Sequence, residues 1–378
     1  MKISRQTIFR TAIALVFVLA GAFCLSSAEN SRAKEIDAVF SSVTSANEPG
    51  LAVVVRDDGK TIFEHGYGMR DLRSRLAITP ATNFRLASFT KQFTAMSIML
   101  LVHDGKLRYD EKLTDVFPDF PEYGKTISIR NLLNHTGGLL DYESLMDKQY
   151  AGKSPEEIPQ IHDAEVLALL KRQTTTKFPA GTRWNYSNSG YVVLANVVEK
   201  RSGKSFGEFL HERIFAPLGM NRTLAFEYGK NTVPERAYGY TKDANVWLET
   251  DQSTTSATLG DGGIYSSVED LTKWDDALRT NSLLSEQEMQ PALVAVKLPG
   301  GTQTEPDSDD GKLSAYGFGW FLDPYKKQNR MWHSGSSTGF RTMIQRFPGD
   351  KLSIIILSNR VDLDTGALAL KVADLFLK

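Results

Sequence analysis

The 378-residue chain has a single cysteine, Cys24. Cys24 falls in a segment that reads as a cleavable leader, so no disulfide, cysteine nucleophile or thiolate metal ligand is expected in the mature protein. Neither sign of charge dominates: 44 Lys and Arg face 45 Asp and Glu. Basic clusters are short, as at Lys326-Lys327, so the electrostatic footprint of a nucleic-acid-binding protein is missing. There is no internal repeat and no low-complexity tract, which excludes a solenoid or array. No His-x-x-x-His pair or carboxylate cluster suggests a metal, and no glycine-rich loop follows a strand to cradle phosphate. No metal and no cofactor is therefore expected, and any chemistry falls to Ser, Thr, Tyr, Lys, His or carboxylates.

At the N-terminus Lys2, Arg5 and Arg10 precede an apolar run from Ala12 to Leu25, and Ser26-Ser27-Ala28 supplies small residues for cleavage. Residues 1–28 read as a signal peptide cut after Ala28, with Ala22 as the alternative site. The run is short of the roughly 20 residues that span a bilayer as a helix. An exported protein is expected, periplasmic or secreted, with no stable membrane anchor after cleavage; its oligomeric state stays open.

Apolar residues make up 41% of the chain and charged ones 24%, the composition of an ordinary globular protein with a sizeable core. Arg32 to Phe40 reads as a short helix. Leu51 to Arg56 and Lys60 to His65 flank an Asp-Gly turn, a hairpin pattern. Phe340 to Phe347 and Lys351 to Ser358 form a second hairpin around Pro348-Gly349-Asp350, followed by a helix with Leu368, Val372, Leu375 and Phe376 at helical spacing. Between these strand-rich ends lie the helix-period segments. Phe89 to Val102 is apolar nearly all round and marks a buried helix stopped by Asp104-Gly105. Ser189 to Arg201 and Ser267 to Arg279 are two more. Pro299 to Ser314 reads as a polar loop. The expected architecture is α+β: an antiparallel sheet built from both chain ends and flanked by helices, with an inserted, mostly helical lobe. Residues 29–87 and 312–378 make the sheet lobe and 88–311 the helical one.

Ser88-Phe89-Thr90-Lys91 opens the buried helix, and its i, i+3 spacing puts a hydroxyl and an amine on one face. A serine needs a neighbour to take its proton, and a desolvated lysine has a lowered pKa that suits the task. The helix start adds backbone N–H groups where an oxyanion would form. Ser-x-x-Lys alone is a weak signal, since Ser31-Arg32-Ala33-Lys34 matches it too, on a polar stretch with nothing to bury it. Tyr186-Ser187-Asn188 lies just before the second helix, presenting a phenol and an amide. His333-Ser334-Gly335 begins the C-terminal hairpin, where glycine on an edge strand would let a substrate backbone lie alongside. His135 and Gly137-Gly138 read as a turn below the site.

The order Ser-x-x-Lys, Tyr-x-Asn, His-x-Gly, each on a suitable element, is the specific signal. With it the chain resembles the serine β-lactamase and penicillin-recognising DD-peptidase family, in the class C-like branch of D-alanyl-D-alanine carboxypeptidases, D-aminopeptidases and esterases. The likeness runs from about Ile36 to the C-terminus. It includes Leu132 to Leu139, Phe178-Pro179-Ala180-Gly181, Ala216 to Met220, Gly262-Gly263 and Tyr316 to Trp320.

The resemblance implies Ser88 as acylated nucleophile and Lys91 with Tyr186 as a shared proton-transfer pair. It implies Asn188 as a substrate amide contact and the backbone N–H groups of Ser88 and Ser336 as the oxyanion hole. His333 replaces the lysine that β-lactamases of the family carry, which weighs against a β-lactamase. The resemblance places His333, Ser334 and Gly335 along the substrate, with the Ser334 and Ser336 hydroxyls meeting its terminal carboxylate. The expected activity is an exported serine hydrolase acting through an acyl-enzyme on a small D-amino-acid peptide, of DD-carboxypeptidase or D-aminopeptidase type. A carboxylesterase acting on esters, a class C-like enzyme acting on β-lactams, and a silent cell-wall-peptide binder stay open as alternatives.

Overall fold

The computed structural model describes residues 31–298, 305–306 and 313–377. The leader at 1–28, the lobe boundary at 311–312 and most of the 299–314 loop lie outside them. A helix at 31–41 (α1) leads to strands Leu51–Asp57 (β1) and Lys60–Tyr67 (β2), which pair as the Asp-Gly hairpin. Strands Met331–Ser337 (β3), Phe340–Phe347 (β4) and Leu352–Ser358 (β5) return from the other end of the chain. They complete one antiparallel sheet in the order β3-β4-β5-β1-β2. The seam joining the two ends is the β1–β5 pairing, from Leu51 opposite Ser358 to Asp57 opposite Leu352.

The central strands are apolar on both faces because both faces are covered. Ala52, Val54, Ile344, Ile355 and Leu357 pack into the core shared with the inserted lobe. Leu51, Val53, Val55, Met343, Ile354 and Ile356 pack instead against Ile36 and Phe40 of α1 and against Leu368 and Val372 of the terminal helix. Burying each such side chain contributes roughly 1.5–3 kcal/mol. The terminal helix runs over Thr365–Ala373, shorter than its apolar spacing predicts. Beyond it the backbone tightens into i→i+3 bonds, Leu375 N–H to Val372 O and Phe376 N–H to Ala373 O, while Leu375 and Phe376 still pack on the core.

Within the insert, Lys91–His103 (α2) is buried along nearly its whole length and ends at Asp104, with Gly105 at φ +68°. Around it stand Tyr142–Gln149 (α3), Asp163–Lys171 (α4) and Asn188–Ser202 (α5). Val268–Thr280 (α6) is capped by Ser267, whose side chain accepts from Asp270 N–H. The insert is less purely helical than its sequence suggests. Ile264–Ser266 pairs with Leu224–Ala225 and with Phe84–Arg85 just ahead of the insert, and Tyr240–Asp243 pairs with Val246–Glu249. Strands of two to four residues carry too little alternation to stand out.

A buried charge cluster fixes α6 to the sheet. Asp275 accepts from Arg56 Nη1 at 3.0 Å, from Arg346 Nε at 2.8 Å and from the Ser353 hydroxyl at 2.6 Å. Among the described residues no helix is long and apolar enough to cross a membrane.

Candidate active site

Ser88 sits in a 3₁₀ turn over Ala87–Thr90 that runs directly into α2. Ala87 immediately before it holds φ at +50°, a left-handed conformation that costs a side-chain-bearing residue about 1–3 kcal/mol. The turn is held from the sheet: the Thr342 hydroxyl of β4 donates to Leu86 O at 2.8 Å. Gly335 of β3 passes beneath the same carbonyl, and a Cβ there would stand 2.1 Å from Leu86 O and 2.2 Å from Thr342 Oγ1. Glycine at this position is thus required by the close approach of the edge strand to the turn that carries Ser88.

One helical turn on, Lys91 is fully buried, while Ser88 is only half-buried and open to the cleft. Lys91 Nζ lies 3.0 Å from Ser88 Oγ, 2.9 Å from Asn188 Oδ1 and 3.0 Å from Asp261 O. Burial pushes its pKa down to about 8, against the opposing pull of Asp261 and Glu143. The two carbonyl oxygens can only accept hydrogen bonds, whereas the serine hydroxyl can also donate. A neutral amine has two N–H bonds for the carbonyls and one lone pair for the Ser88 proton. The three partners suit both forms of Lys91: all three oxygens can accept from an ammonium, and when the amine is neutral the Ser88 hydroxyl can turn and donate to its lone pair, the arrangement in which Lys91 acts as a base. The other Ser-x-x-Lys match lies on exposed α1, where Ser31 Oγ donates to Glu35.

Tyr186, Ser187 and Asn188 turn into α5, with Ser187 as its N-cap accepting from Gly190 N–H. Withdrawal from water pushes the Tyr186 phenol upward, with the nearby Ser88 hydroxyl pulling the other way. Its ring lies 4.9 Å from Lys91 Nζ. Ser88, Tyr186 and Asn188 thus meet around the Lys91 amine. His135 turns out to hold this turn in place. It is buried at φ +61°, its Nδ1 accepts from Ser187 N–H at 3.1 Å, and its ring packs 4.5 Å from those of Tyr186 and Tyr316. Burial holds it well below the usual histidine range, hence neutral.

The third motif is arranged differently from the sequence expectation. Trp332 exchanges both backbone hydrogen bonds with Phe321, away from β4. With the period of two, the backbone N–H groups of Ser334 and Ser336 also point off the sheet edge, so Ser336 N–H is available to a ligand. Side chains alternate likewise. His333 and Gly335 face the inserted lobe, while Ser334 and Ser336 share the face of Trp332, which packs against the terminal helices. His333 is buried with both nitrogens engaged: Nδ1 donates to Ser334 O at 2.7 Å and Nε2 accepts from the Tyr316 hydroxyl at 3.0 Å. Burial and then the Lys91 charge push it down to about 3. His333 is a neutral support under the edge strand, and neither ring nitrogen is left for a substrate carboxylate.

Residues that sequence reasoning passed over complete the surroundings. Asp261 supplies the third acceptor to Lys91 through its carbonyl, and its carboxylate accepts from the Tyr142 hydroxyl at 3.0 Å. The loop bearing it is tied down by Asp163, which accepts from Leu259 N–H at 2.7 Å and Gly260 N–H at 3.1 Å. Burial raises Asp163 to about 7. Glu143, at the start of α3, accepts from Asn188 Nδ2 at 3.5 Å. A backbone carbonyl can come from any residue type, so Asp261 left no signal. Among the described residues no group of His, Cys, Asp and Glu is placed to hold a metal.

An activatable serine over a buried lysine, where an antiparallel sheet meets a helical lobe, defines a serine hydrolase of the penicillin-recognising fold. The family model described as Beta-lactamase matches residues 36–376, and the chain belongs to that family. Penicillin-binding protein 4* of Bacillus subtilis is 31% identical over 88% of this chain and 73% of its own length. D-aminopeptidase of Brucella anthropi is 30% identical over 82% of this chain, which spans 56% of that longer relative. The fold is shared with the crystal structure of D-amino acid amidase from Ochrobactrum anthropi, with a TM-score of 0.73 at 23% identity, covering 91% of this chain and 98% of that one.

Proposed function

We propose that the protein is an exported hydrolase that cleaves amide bonds of small D-amino-acid peptides or amides through an acyl-enzyme on Ser88. The observation that carries this reading is the fully buried Lys91, whose Nζ lies 3.0 Å from Ser88 Oγ and has no carboxylate within ion-pair distance among the described residues. Ser88 Oγ attacks the acyl carbonyl and Lys91 takes its proton. The oxyanion is held by the N–H groups of Ser88 and Ser336, each such donor contributing about 2.7–4 kcal/mol. Tyr186 stays a neutral phenol in the free enzyme and passes a proton to the leaving nitrogen as the C–N bond breaks. Water then attacks the ester with the same groups acting in reverse. An amide is favoured over an ester by the D-aminopeptidase relative. Export rests on the leader composition at 1–28.

The test is a fluorophosphonate, which phosphorylates activated serines, with the adduct mapped by peptide mass and Ser88→Ala as control. A stoichiometric adduct on Ser88 is expected. A folded protein that takes none would make the cleft a binding site only.

A further inference from the structure

We propose that Asp261 is a positioning residue of this site: beyond the carbonyl it lends to Lys91, its buried carboxylate supplies the negative charge that steadies the ammonium formed when Lys91 takes the Ser88 proton. This rests on the hydrolase reading above and assigns a further residue of that same site.

Attack by Ser88 breaks its Oγ–H bond and forms an N–H bond, so a neutral Lys91 becomes a cation in a place sealed from water. Its three hydrogen-bond partners, Ser88 Oγ, Asn188 Oδ1 and Asp261 O, are uncharged. A cation formed there without a counter-charge is costly, and two carboxylates act on it, Asp261 and then Glu143. Exposure separates them. Glu143 is exposed at the start of α3, where solvent screens its field, whereas Asp261 is only 6% exposed. The Asp261 carboxylate belongs to the residue whose carbonyl lies 3.0 Å from Lys91 Nζ, which keeps it within about 8 Å of the amine. It forms no ion pair among the described residues, so it is a counter-charge held back from contact.

The loop does not need that charge to stay in place. The Thr94 hydroxyl of α2 donates to Gly260 O at 2.6 Å, and Asp163 accepts from Leu259 N–H and Gly260 N–H. The carboxylate accepts from the Tyr142 hydroxyl through Oδ2 at 3.0 Å, while its buried Oδ1 has no hydrogen-bond partner among the described residues. An amide oxygen would serve Tyr142 equally well and cost less to bury. A buried carboxylate with one oxygen idle is accounted for by the lysine beside it, which must alternate between neutral and charged.

The experiment measures fluorophosphonate labelling of Ser88 against pH in the wild type, Asp261→Asn, Asp261→Glu, Asp163→Asn and Glu143→Gln. His135 and His333 are held low by burial and stay neutral, and Tyr142, Tyr186, Tyr191 and Tyr316 are raised by burial and stay protonated. Asp163, raised by burial to about 7, and Glu143, raised by partial withdrawal from water, are the two groups able to imitate a shift, so both are varied. Removing a negative charge favours the neutral amine, so the midpoint should fall in Asp261→Asn, by about one pH unit. Its plateau rate at high pH should fall about threefold to tenfold, because the ammonium that forms is no longer answered. Asp261→Glu keeps the charge and should keep the wild-type midpoint even where its rate drops. Asp163→Asn should lower the rate and leave the midpoint in place, and Glu143→Gln should move it by less than Asp261→Asn. If the amide variant does not fold, Asp261→Ser removes the charge with less side chain to place, and the same shift is expected. A wild-type midpoint in a folded Asp261→Asn or Asp261→Ser protein overturns the assignment, as does a larger shift in Asp163→Asn or Glu143→Gln. Absence of any Ser88 adduct in the wild type is a separate outcome, and it removes the hydrolase reading together with the inference.

Discussion

Asp275 and Lys91 are equally withdrawn from water, and the fold treats them in opposite ways. Asp275 is met by two guanidinium groups and a hydroxyl, from β1, β4 and β5. Lys91 is met by three neutral oxygens and has no carboxylate within ion-pair distance among the described residues. Pairing joins α6 to both ends of the chain and serves the fold. Withholding a counter-ion brings a lysine to about 8, where it can be neutral in the resting enzyme and still accept a proton. One cluster spends its electrostatics on cohesion and the other on reactivity.

Substitutions can separate the two. Lys91→Met removes the base, and turnover should fall about a thousandfold or more. Because it also removes a buried amine whose charged form has no ion partner, the same variant should be more stable, by about 1–3 kcal/mol in urea titrations. Loss of both activity and stability would mean that Lys91 is a structural lysine. Asp275→Ala leaves Arg346 without a carboxylate and Arg56 with Asp276 alone, and should cost about 3–5 kcal/mol, with turnover per folded molecule retained. An inactive but stable variant would erase the distinction between the clusters. Gly335→Ala places a methyl group against Leu86 O and shifts the Ser88 turn, with about a hundredfold loss in kcat/KM. Wild-type activity there would show that β3 does not position the nucleophile. Asp163→Asn keeps only one acceptor for the loop that presents Asp261 O, and about a twofold to tenfold loss is expected in the same assay.

The comparison also explains what could be read before the structure. The sheet was legible because Leu51-Ala52-Val53-Val54-Val55 and Leu352 to Ser358 are apolar runs too short for helices, bounded by turn residues. Ser88, Lys91, Tyr186 and Asn188 were legible because their chemistry is local to two short motifs. His333 was recognisable as a motif residue, but not its direction. Facing inward against Tyr316 is set by strand alternation and by the Phe321 bridge, neither of which the tripeptide encodes. Asp261, Asp163 and His135 were silent as functional residues for the same reason. They act through contacts between segments far apart in sequence, such as Lys91 with Asp261 O and Ser187 N–H with His135.

The central claim is that Ser88 is activated by a neutral Lys91 whose pKa burial has lowered to about 8. The direct test is the rate of fluorophosphonate labelling of Ser88 as a function of pH. Below that pKa the neutral fraction falls tenfold for each unit of pH, so the rate should rise with unit slope and level off near pH 8. A rate independent of pH from 5 to 9 would show that another group takes the proton, and a midpoint near 10.5 would show that the lysine is not perturbed.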